Sequence, residues 1–592
     1  MGGQSRHIYE FGPFFLDSAE QLLLCDGRPV PLKPRVFNLL LFLVENGGRL
    51  LDKDLLLRQL WPNSFVEEGN LAVGIFELRK ALGDDTGKPF YIETIPRRGY
   101  RFAAPVRRAP DNSAEATDGY AESGRRGVDP DRKSIAVLPF KHIGARPGSE
   151  YLGLGMADAL ITRLSNVKQI TVRPTSTVRR YKNEDAVGAG RQLRVQSVLD
   201  GSIQESGGRI RVTVQLVNVQ DGASLWAEKF DQQFTDVFAL EDSISEQVAK
   251  ALTVRMSAGE RRSLTKRYTE DPRAHRAYLK GRYFWNKRTP EGLKKGVKYF
   301  EQAIEMDPEY ALAYTGLADC YIHLESYHVR RPKESLLKAK EAALKALELD
   351  DTLAEAHASL GFLLLTEWEW TASEAAIRQA IEINPNSATA HHFYALHLRV
   401  HGRFDEALAE VKKAQEIDPL SLAIETAVGG ILYFAREYDR AVEGLRVAIE
   451  SEPGFPNAYL YSGLCYEGKG LYGEAIAAFR KKMSISGREP ETLSCLAHAY
   501  ARAGRKSSAR RLLDELGRSS RRDVFYYMAT VRVALGEYEQ AFAWLERGYE
   551  ELDMSLALLN VDPRLDPLRA DPRFSDLLRR VGFAVQQRLS GR

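Results

Sequence analysis

Residues 395–420, ALHLRVHGRFDEALAEVKKAQEIDPL, contain one copy of a pattern that recurs in the second half of the chain every 34 residues. A complete copy has a small residue, then an aromatic residue, a second small residue and a proline; four of the five copies have the aromatic residue and three have the proline. The first small-residue series is Gly361, Ala395, Gly429, Gly463 and Ala497. The second is Ser373, Ala407, Ala441, Ala475 and Ala509. The aromatic residues are Trp370, Phe404, Tyr438 and Tyr472, and the prolines are Pro385, Pro419 and Pro453.

These series share one register and predict a stack of antiparallel helix pairs. The small residues let two helices approach closely, the aromatic residue fills the gap between them, and the proline ends the second helix. The pattern resembles the tetratricopeptide repeat family over about 277–550, with about eight repeats. The sequence VDPRLDPLRADPRFSDLLRRVGF (561–583) predicts a terminal helix that covers the last apolar face, as solenoids require. We therefore predict an all-α solenoid with a C-terminal cap over 271–592.

The N-terminal region, 6–105, shows a different order of elements. After a β-rich start, the segment PRVFNLLLFLVENGG (34–48) predicts a helix that ends at a glycine pair. Asp52 can cap a second helix in KDLLLRQLWP, and a third helix is predicted from about 68 to 82. A two-stranded ribbon, YIETIPRRGYRF (91–102), follows. The third-helix residues expected to face the core are Leu71, Ile75, Leu78 and Leu82.

This order of elements resembles the α+β winged helix-turn-helix domain of OmpR/PhoB-type response regulators and of ToxR- and CadC-like regulators. Its most specific parts are NLAVGIFELRKALGDD (70–85) and YIETIPRRGYRF (91–102). The resemblance implies that the third helix enters the major groove of DNA and that the ribbon turn reaches the neighbouring minor groove. An asparagine can pair with adenine, and basic residues suit phosphates and the minor groove. The implied DNA-binding residues are Asn70, Arg79, Lys80, Arg97, Arg98 and Tyr100.

Two features of this region depart from the family pattern. Gly74 and Glu77 occupy positions where family members often have a polar or basic reader of bases. Residues 1–105 contain 13 Lys plus Arg against 13 Asp plus Glu, a net charge of zero. Because DNA affinity rises with the number of phosphates neutralised, a single copy is expected to bind weakly. Tandem or dimeric binding, as a homo-oligomer on DNA, is the corresponding hypothesis.

Between these regions the sequence predicts a linker and an α/β domain. Residues 106–132 contain no Ile, Leu or Phe, which predicts a flexible linker. Residues 133–255 alternate strand and helix patterns, with a hairpin around 205–209. This domain resembles the TolB-like domain that accompanies tetratricopeptide arrays, which implies a sensing or coupling module. The matching segments are SIAVLPF (134–140), YLGLGMADALITRL (151–164), LDGSIQESGGRIRVTVQLVN (199–218) and LWAEKFD (225–231).

Composition narrows the functional classes. The net charge of +3 does not by itself indicate nucleic-acid binding, and the four cysteines form no CxxC pair, which favours reduced thiols. Neither a secretory signal nor an apolar run long enough for a membrane helix is found, so we expect a cytoplasmic protein without membrane contact. The histidines at 391, 392, 397 and 401 are interpreted as repeat packing rather than a metal site. No GxSxG, HExxH or kinase motif occurs, so no catalytic residue, metal or cofactor is predicted.

The sequence thus favours a multidomain one-component transcriptional regulator without a receiver domain. Its expected partners are double-stranded DNA and proteins that bind the tetratricopeptide groove, with the signal received by 133–592. The alternative is an interaction scaffold in which the winged helix serves as a docking module. A third interpretation is an accessory protein of a nucleotide cyclase.

Overall fold

The structure, a computed structural model, comprises two compact units, Met1–Val128 and Asp129–Arg592. Each unit has its own hydrophobic core. The described residues are 8–18, 22–25, 28–30, 32, 34–53, 55–56, 71, 74–75, 78–79, 81–84, 91–95, 98–108, 133–144, 151–182, 184–206, 209–233, 237–254, 256–326, 332–518 and 524–583.

The N-terminal unit contains two small antiparallel sheets and helices. The strands of the first sheet, in spatial order, are Arg28–Pro29, Leu22–Cys25, Phe14–Asp17, Ile8–Phe11 and Arg107–Arg108. The helix Pro34–Glu45 follows the first four of them in the chain. The strands of the second sheet, in spatial order, are Leu50–Asp52, Gly99–Phe102 and Ile92–Ile95. Residues 71, 74–75, 78–79 and 81–82 are helical, and most of the predicted second helix lies outside the described residues.

This unit extends beyond the predicted domain end at residue 105. Arg107 and Arg108 pair with Glu10 and Tyr9 and add a strand to the first sheet. A strand of two residues is too short to show hydrophobic alternation in the sequence. The linker was therefore predicted to begin at residue 106, three residues earlier than the end of the last strand allows. The rest of that predicted linker, 109–132, lies outside the described residues.

The middle of the chain forms a six-stranded mixed sheet flanked by helices. Its strands are Lys133–Val137, Lys141–His142, Ile170–Val172, Ser197–Ser206, Arg209–Asn218 and Ser224–Gln233. Its helices are Tyr151–Ser165, Thr175–Val178, the 3-10 turn Arg179–Tyr181, Ala186–Gln192, Val237–Ala251 and Ala258–Leu264. The pairs that join Lys133–Val137 to its two neighbours are parallel, whereas the three longest strands pair antiparallel. The α/β prediction is confirmed for this region.

The predicted hairpin is present, but the sequence missed its neighbouring strand. Ser206 pairs with Arg209 at the turn, and alternate residues of the return strand Arg209–Asn218 are buried as expected. The missed strand, Ser224–Gln233, lies at the edge of the sheet and has a single fully buried side chain, Phe230. A strand with so little burial shows no apolar alternation, which is the signal for a strand in sequence.

The remainder of the chain is a solenoid in which eight helix pairs lie within the described residues. In chain order the pairs are Pro272–Trp285 with Pro290–Met306, Ala311–Ser326 with Pro332–Leu349, Ala354–Thr366 with Trp370–Ile383, Ala388–Val400 with Phe404–Ile417, Leu422–Phe434 with Tyr438–Ser451, Pro456–Gly468 with Tyr472–Ser486, Pro490–Arg502 with Lys506–Gly517, and Phe525–Leu535 with Tyr538–Glu550. The first helix of each pair packs against the first helices of its neighbours. The predicted tetratricopeptide-like stack is confirmed.

The small residues that recur every 34 positions lie where the two helices of a pair approach closely, as the sequence predicted. A Cβ atom added at Gly429 or Gly463 would lie 2.6 or 2.5 Å from a side-chain atom of the paired second helix, so these helices touch through glycine. The second small-residue series is fully buried throughout. The aromatic residues also link one repeat to the next. The ring of Tyr438 occupies the space beside Gly468, and Trp370 meets His401 edge to face.

The C-terminal tail caps the last repeat with a shorter helix than the 561–583 span predicted. This helix, Pro572–Arg580, buries Phe574 and Leu577 in a cluster with residues of Tyr538–Glu550. The segment before it forms two 3-10 turns, and prolines at 563 and 567 limit regular α-helix there. The predicted cap is therefore present, but only the nine residues Pro572–Arg580 are α-helical.

The segment before the cap folds back onto the first helices of earlier repeats. Asp562 accepts hydrogen bonds from Tyr433 and Tyr526, which belong to two different first helices. The 3-10 turns are Met554–Leu558 and Pro563–Leu568. Further contacts are the ion pair of Arg436 with Asp566, the hydrogen bond from Trp370 Nε1 to the Val581 carbonyl, and the stacked rings of Trp370 and Phe583. The chain thus covers part of the surface that was predicted to receive protein partners.

The middle domain and the solenoid are joined by hydrogen bonds between distant residues. Arg173 donates to the carbonyls of Glu416 and Ile417, each at 2.6 Å. Asn386 Nδ2 donates to the Ile170 carbonyl at 2.9 Å. Because backbone carbonyls at repeat ends are satisfied by the middle domain, the two regions form one unit and not two independent ones.

The histidines of the fourth repeat pack within the solenoid. His397 is 2% exposed, and its Nδ1 lies 3.2 Å from Ser373 Oγ. His401 donates from Nδ1 to the His397 carbonyl, and the two rings stack with centroids 4.5 Å apart. Within the described ranges, no three His, Cys, Asp or Glu side chains are grouped to hold a metal ion.

Protonation of the buried His397 ring should lower the free energy of unfolding of the solenoid as the pH falls. Burial, together with the charge of the neighbouring His401, lowers the pKa of His397 to about 4. The unfolded chain binds a proton below its ordinary pKa of about 6.5, so stability present above that pH is lost as the pH falls toward 4. The expected loss is about 3 kcal/mol. Urea denaturation between pH 7 and pH 4 should show a flatter profile for His397→Gln than for the wild type. Identical profiles would show that this ring does not titrate in that range.

Candidate nucleic-acid interface

The described residues of the third helix in the N-terminal unit confirm its predicted buried face. Leu71, Ile75, Leu78 and Leu82 are all at most 4% exposed. A Cβ atom on Gly74 would lie 3.0 Å from Leu39 Cδ2, a side chain of the helix Pro34–Glu45. Glycine at this position thus permits close helix packing, which explains why no base-reading side chain stands there.

Arg79 joins this helix to the ribbon. Its Nη2 donates to the Ile92 carbonyl at 2.7 Å and to Thr94 Oγ1 at 2.8 Å, and both acceptors lie in the strand Ile92–Ile95. The sequence assigned Arg79 to phosphate or minor-groove contact. In the structure its guanidinium makes contacts within the protein that fix the ribbon relative to the helix.

Replacement of Arg79 distinguishes a role in DNA contact from a role in holding the ribbon against the third helix. Arg79→Ala should lower the free energy of unfolding of the N-terminal unit by about 2 kcal/mol, because hydrogen bonds from a charged donor to two acceptors are lost. Arg79→Lys keeps the charge but not the planar fork, so it should also destabilise the unit, by about 1 kcal/mol. Thermal denaturation measures both. Unchanged stability in both variants, together with weaker DNA binding, would assign Arg79 to the DNA instead.

Asp84 is a second connection that the sequence did not reveal. Its carboxylate is 9% exposed and accepts hydrogen bonds from the backbone amides of Tyr91 at 3.1 Å and Ile92 at 2.8 Å. These amides begin the ribbon, so Asp84 holds its first strand against the end of the third helix. A buried carboxylate that accepts from two amides in this way positions the ribbon.

The ribbon turn lies at the end of a regular hairpin. Ile95 pairs with Gly99, and the Arg98 amide donates to the Ile95 carbonyl at 3.1 Å. The Arg98 side chain is exposed. Tyr100, by contrast, is 8% exposed and belongs to the core of the unit. Among the predicted DNA-binding residues, Asn70, Lys80 and Arg97 lie outside the described residues, as does Glu77.

Comparison with known families agrees with this geometry. Residues 27–102 match the family described as transcriptional regulatory protein, C terminal. The winged domain is of the OmpR/PhoB type. Residues 131–247 match the second domain of HilA/YgeH-like transcriptional regulators, and 364–421 and 431–484 match the tetratricopeptide repeat. The TolB-like resemblance of the middle domain stays a prediction.

Similar curated proteins include two transcriptional regulators. Transcriptional regulator HilA of Salmonella typhi is 25% identical over 390 residues, which are 64% of this chain and 64% of that protein. Transcriptional activator CadC of Escherichia coli K12 is 40% identical over 82 residues, which are 14% of this chain and 16% of that protein. Putative adenylate cyclase 3 of Rhizobium meliloti is 29% identical over 239 residues, 40% of each chain. The chain covers less than two thirds of each of these relatives.

No helix in the described part of the chain combines the length and the apolar character needed to cross a bilayer.

Proposed function

We propose that this protein is a DNA-binding transcriptional regulator whose winged domain reads double-stranded DNA and whose C-terminal unit receives a protein or ligand signal. The observation that carries the proposal is the ribbon, which is fixed to the third helix by Arg79 and Asp84 and presents Arg98 to solvent at its turn. The family match over 27–102 supports it. The relatives named as transcriptional regulators support it too.

The proposed contacts divide into direct and positioning residues. Asn70 is proposed to read a base edge, and Lys80, Arg97 and Arg98 are proposed to contact phosphates or the minor groove. Arg79 and Tyr100, both placed on the DNA by the sequence, are now proposed to act mainly by holding the ribbon in position. The list of direct contacts is shorter than the predicted one because the fork of Arg79 and the ring of Tyr100 are already engaged within the protein.

A salt titration of DNA binding tests the proposal. The full chain is titrated with a duplex from its own promoter region, and fluorescence anisotropy is followed across a salt series. Arg97→Ala/Arg98→Ala should reduce the slope of log K against log salt by about 2, since each lost phosphate contact removes about 0.9. Arg502→Ala/Arg505→Ala, which removes two exposed arginines of the solenoid, is the charge-matched control. A wild type that binds no duplex in a salt-dependent manner would contradict the proposal.

The solenoid is proposed to bind a protein partner. The whole protein is proposed to have no catalytic activity and to act in the compartment that contains the DNA. Because the C-terminal segment covers part of the first-helix surface, such a partner must use the remaining surface or displace that segment. The rival proposal is a scaffold whose winged domain docks on proteins. It is favoured if the titration shows no DNA binding but a partner co-purifies.

A further inference from the structure

One short segment of the chain is strongly basic. Residues 272–300 contain nine Lys plus Arg against one Asp plus Glu, a net of +8, whereas the whole chain has +3. The segment includes the first helix of the solenoid, Pro272–Trp285, and most of the second, Pro290–Met306. The rest of the chain therefore has a net charge of −5.

The arginines of the segment are engaged within the protein. Arg273 pairs with Asp271, Arg276 with Glu205 and Arg282 with Asp158. Arg288 lies over the Trp285 ring, 3.8 Å from its centroid. Arg276 and Arg282 join the helix pair to the middle domain, and all four arginines have a partner within the protein.

The five lysines of the segment differ from the arginines. Lys287, Lys294, Lys295 and Lys298 are exposed, and Lys280 is half-buried. Among the described residues, none of the five has a carboxylate within ion-pair distance. The single acidic residue of the segment, Glu291, is exposed and lies one turn before Lys294 and Lys295 in the same helix. The lysines therefore form an unneutralised basic surface.

Aromatic rings hold three of these lysines in one group. Lys280 Nζ lies 5.2 Å from the Tyr151 ring centroid and 5.5 Å from that of Tyr299. Phe284 stacks on Tyr299 with centroids 5.4 Å apart, and Lys287 and Lys295 lie 5.0 and 5.3 Å from the Phe284 centroid. A cation over a ring is positioned without being neutralised, so its N–H donors stay available to an anion.

We propose that Lys280, Lys287, Lys294, Lys295 and Lys298, the lysine patch, form a second DNA-binding surface that contacts the sugar-phosphate backbone. The proposal rests on the proposed function and extends it to the C-terminal unit. Residues 1–105 have no net positive charge, so phosphate contacts made by another part of the chain would add to a weak affinity. Contacts with the backbone alone add affinity without sequence preference, which suits a cluster of lysines with no planar fork for reading bases.

The test uses the full chain and two triple variants. Lys287→Gln/Lys294→Gln/Lys298→Gln removes three charges from the patch, and Lys412→Gln/Lys481→Gln/Lys506→Gln removes three exposed lysines elsewhere on the solenoid. Anisotropy is measured with the promoter duplex and with an unrelated duplex of the same length, over a salt series. The patch variant should lose about 3 from the slope of log K against log salt, and roughly tenfold or more in affinity near 0.1 M salt, on both duplexes. The control should match the wild type.

The outcomes separate this inference from the proposed function. A patch variant that binds both duplexes like the control overturns the lysine patch alone, while the Arg97→Ala/Arg98→Ala variant still reports on the winged domain. A wild type without salt-dependent DNA binding overturns both. Because all six lysines are exposed, circular dichroism should show unchanged folding for both triple variants.

Discussion

Asp562→Ala should lower the stability of the C-terminal segment and of the repeats that it contacts by about 3–5 kcal/mol. Asp562 is fully buried and accepts hydrogen bonds from Tyr526, Tyr433 and both Nε and Nη2 of Arg564. The paired charges keep the pKa of Asp562 low and that of Arg564 high. Removal of the carboxylate leaves a buried guanidinium without its counter-charge. A buried charge without a partner strongly destabilises the folded state.

The chain offers a close control for this variant. Asp571, Pro572 and Arg573 repeat the Asp-Pro-Arg sequence of 562–564, and in both copies the aspartate accepts from the arginine amide and pairs with its side chain. The Arg573 side chain, however, is 48% exposed against 9% for Arg564. Asp571→Ala should therefore lower stability much less than Asp562→Ala does, because an exposed ion pair contributes little.

Hydrogen exchange of the amides in 553–583 measures the difference directly. We expect protection to fall by roughly 10²–10³-fold or more in Asp562→Ala, because each 1.4 kcal/mol corresponds to a factor of ten. Asp571→Ala should leave protection nearly unchanged. Equal effects in the two variants would show that burial of the Asp562 pair contributes nothing beyond the local cap.

Gly99→Ala should weaken specific DNA binding strongly by disrupting the ribbon. A Cβ atom at this position would lie 1.9 Å from the Leu51 carbonyl oxygen and 2.8 Å from its carbon, where Gly99 pairs with Asp52 in the neighbouring strand. Backbone atoms cannot rotate out of the way as a flexible side chain can. We expect a loss of about 3 kcal/mol in stability of the N-terminal unit and at least about a tenfold loss in DNA affinity.

Thermal denaturation and anisotropy together check this expectation. Gly444→Ala is the control, since an added Cβ there meets no atom within 4 Å and the residue lies inside the helix Tyr438–Ser451. That change should stabilise its helix by up to about 1 kcal/mol and leave DNA binding unchanged. A Gly99→Ala protein that binds DNA like the wild type would show that the sheet can open to admit the methyl group without displacing the turn.

The solenoid could be predicted from sequence because one physical cause acts at every repeat. Gly429 and Gly463 meet the side chains of a paired helix in the same way, so the same small residue is required every 34 positions. The hairpin at Ser206 and Arg209 could be predicted because one face of its return strand is buried. The edge strand Ser224–Gln233 has no such face and left no comparable signal.

The contacts that the sequence missed join residues far apart in the chain. Arg173 and the Ile417 carbonyl are 244 residues apart, and Trp370 and the Val581 carbonyl are 211 residues apart. Neither contact belongs to a periodic pattern. As a result, the middle domain was predicted to be separate from the solenoid, and the C-terminal segment was predicted to be a simple cap.

The candidate interface was only partly predictable for a related reason. An arginine on a recognition helix has the same sequence signature whether its fork meets a phosphate or a carbonyl, and Arg79 meets the Ile92 carbonyl. The lysine patch was not predicted because the net charge of the whole chain is only +3, although that of 272–300 is +8. The positions of the charged side chains on the folded surface are needed before a binding partner can be inferred from them.

Mapping of chromosomal occupancy tests the central claim, DNA reading by the winged domain, most directly. The full chain and its Arg97→Ala/Arg98→Ala variant are expressed at equal levels in a cell that lacks the native protein, and bound DNA is recovered and sequenced. We predict discrete sites for the wild type and their loss or strong reduction in the variant. Occupancy without discrete sites, or the same discrete sites for both proteins, would contradict the account.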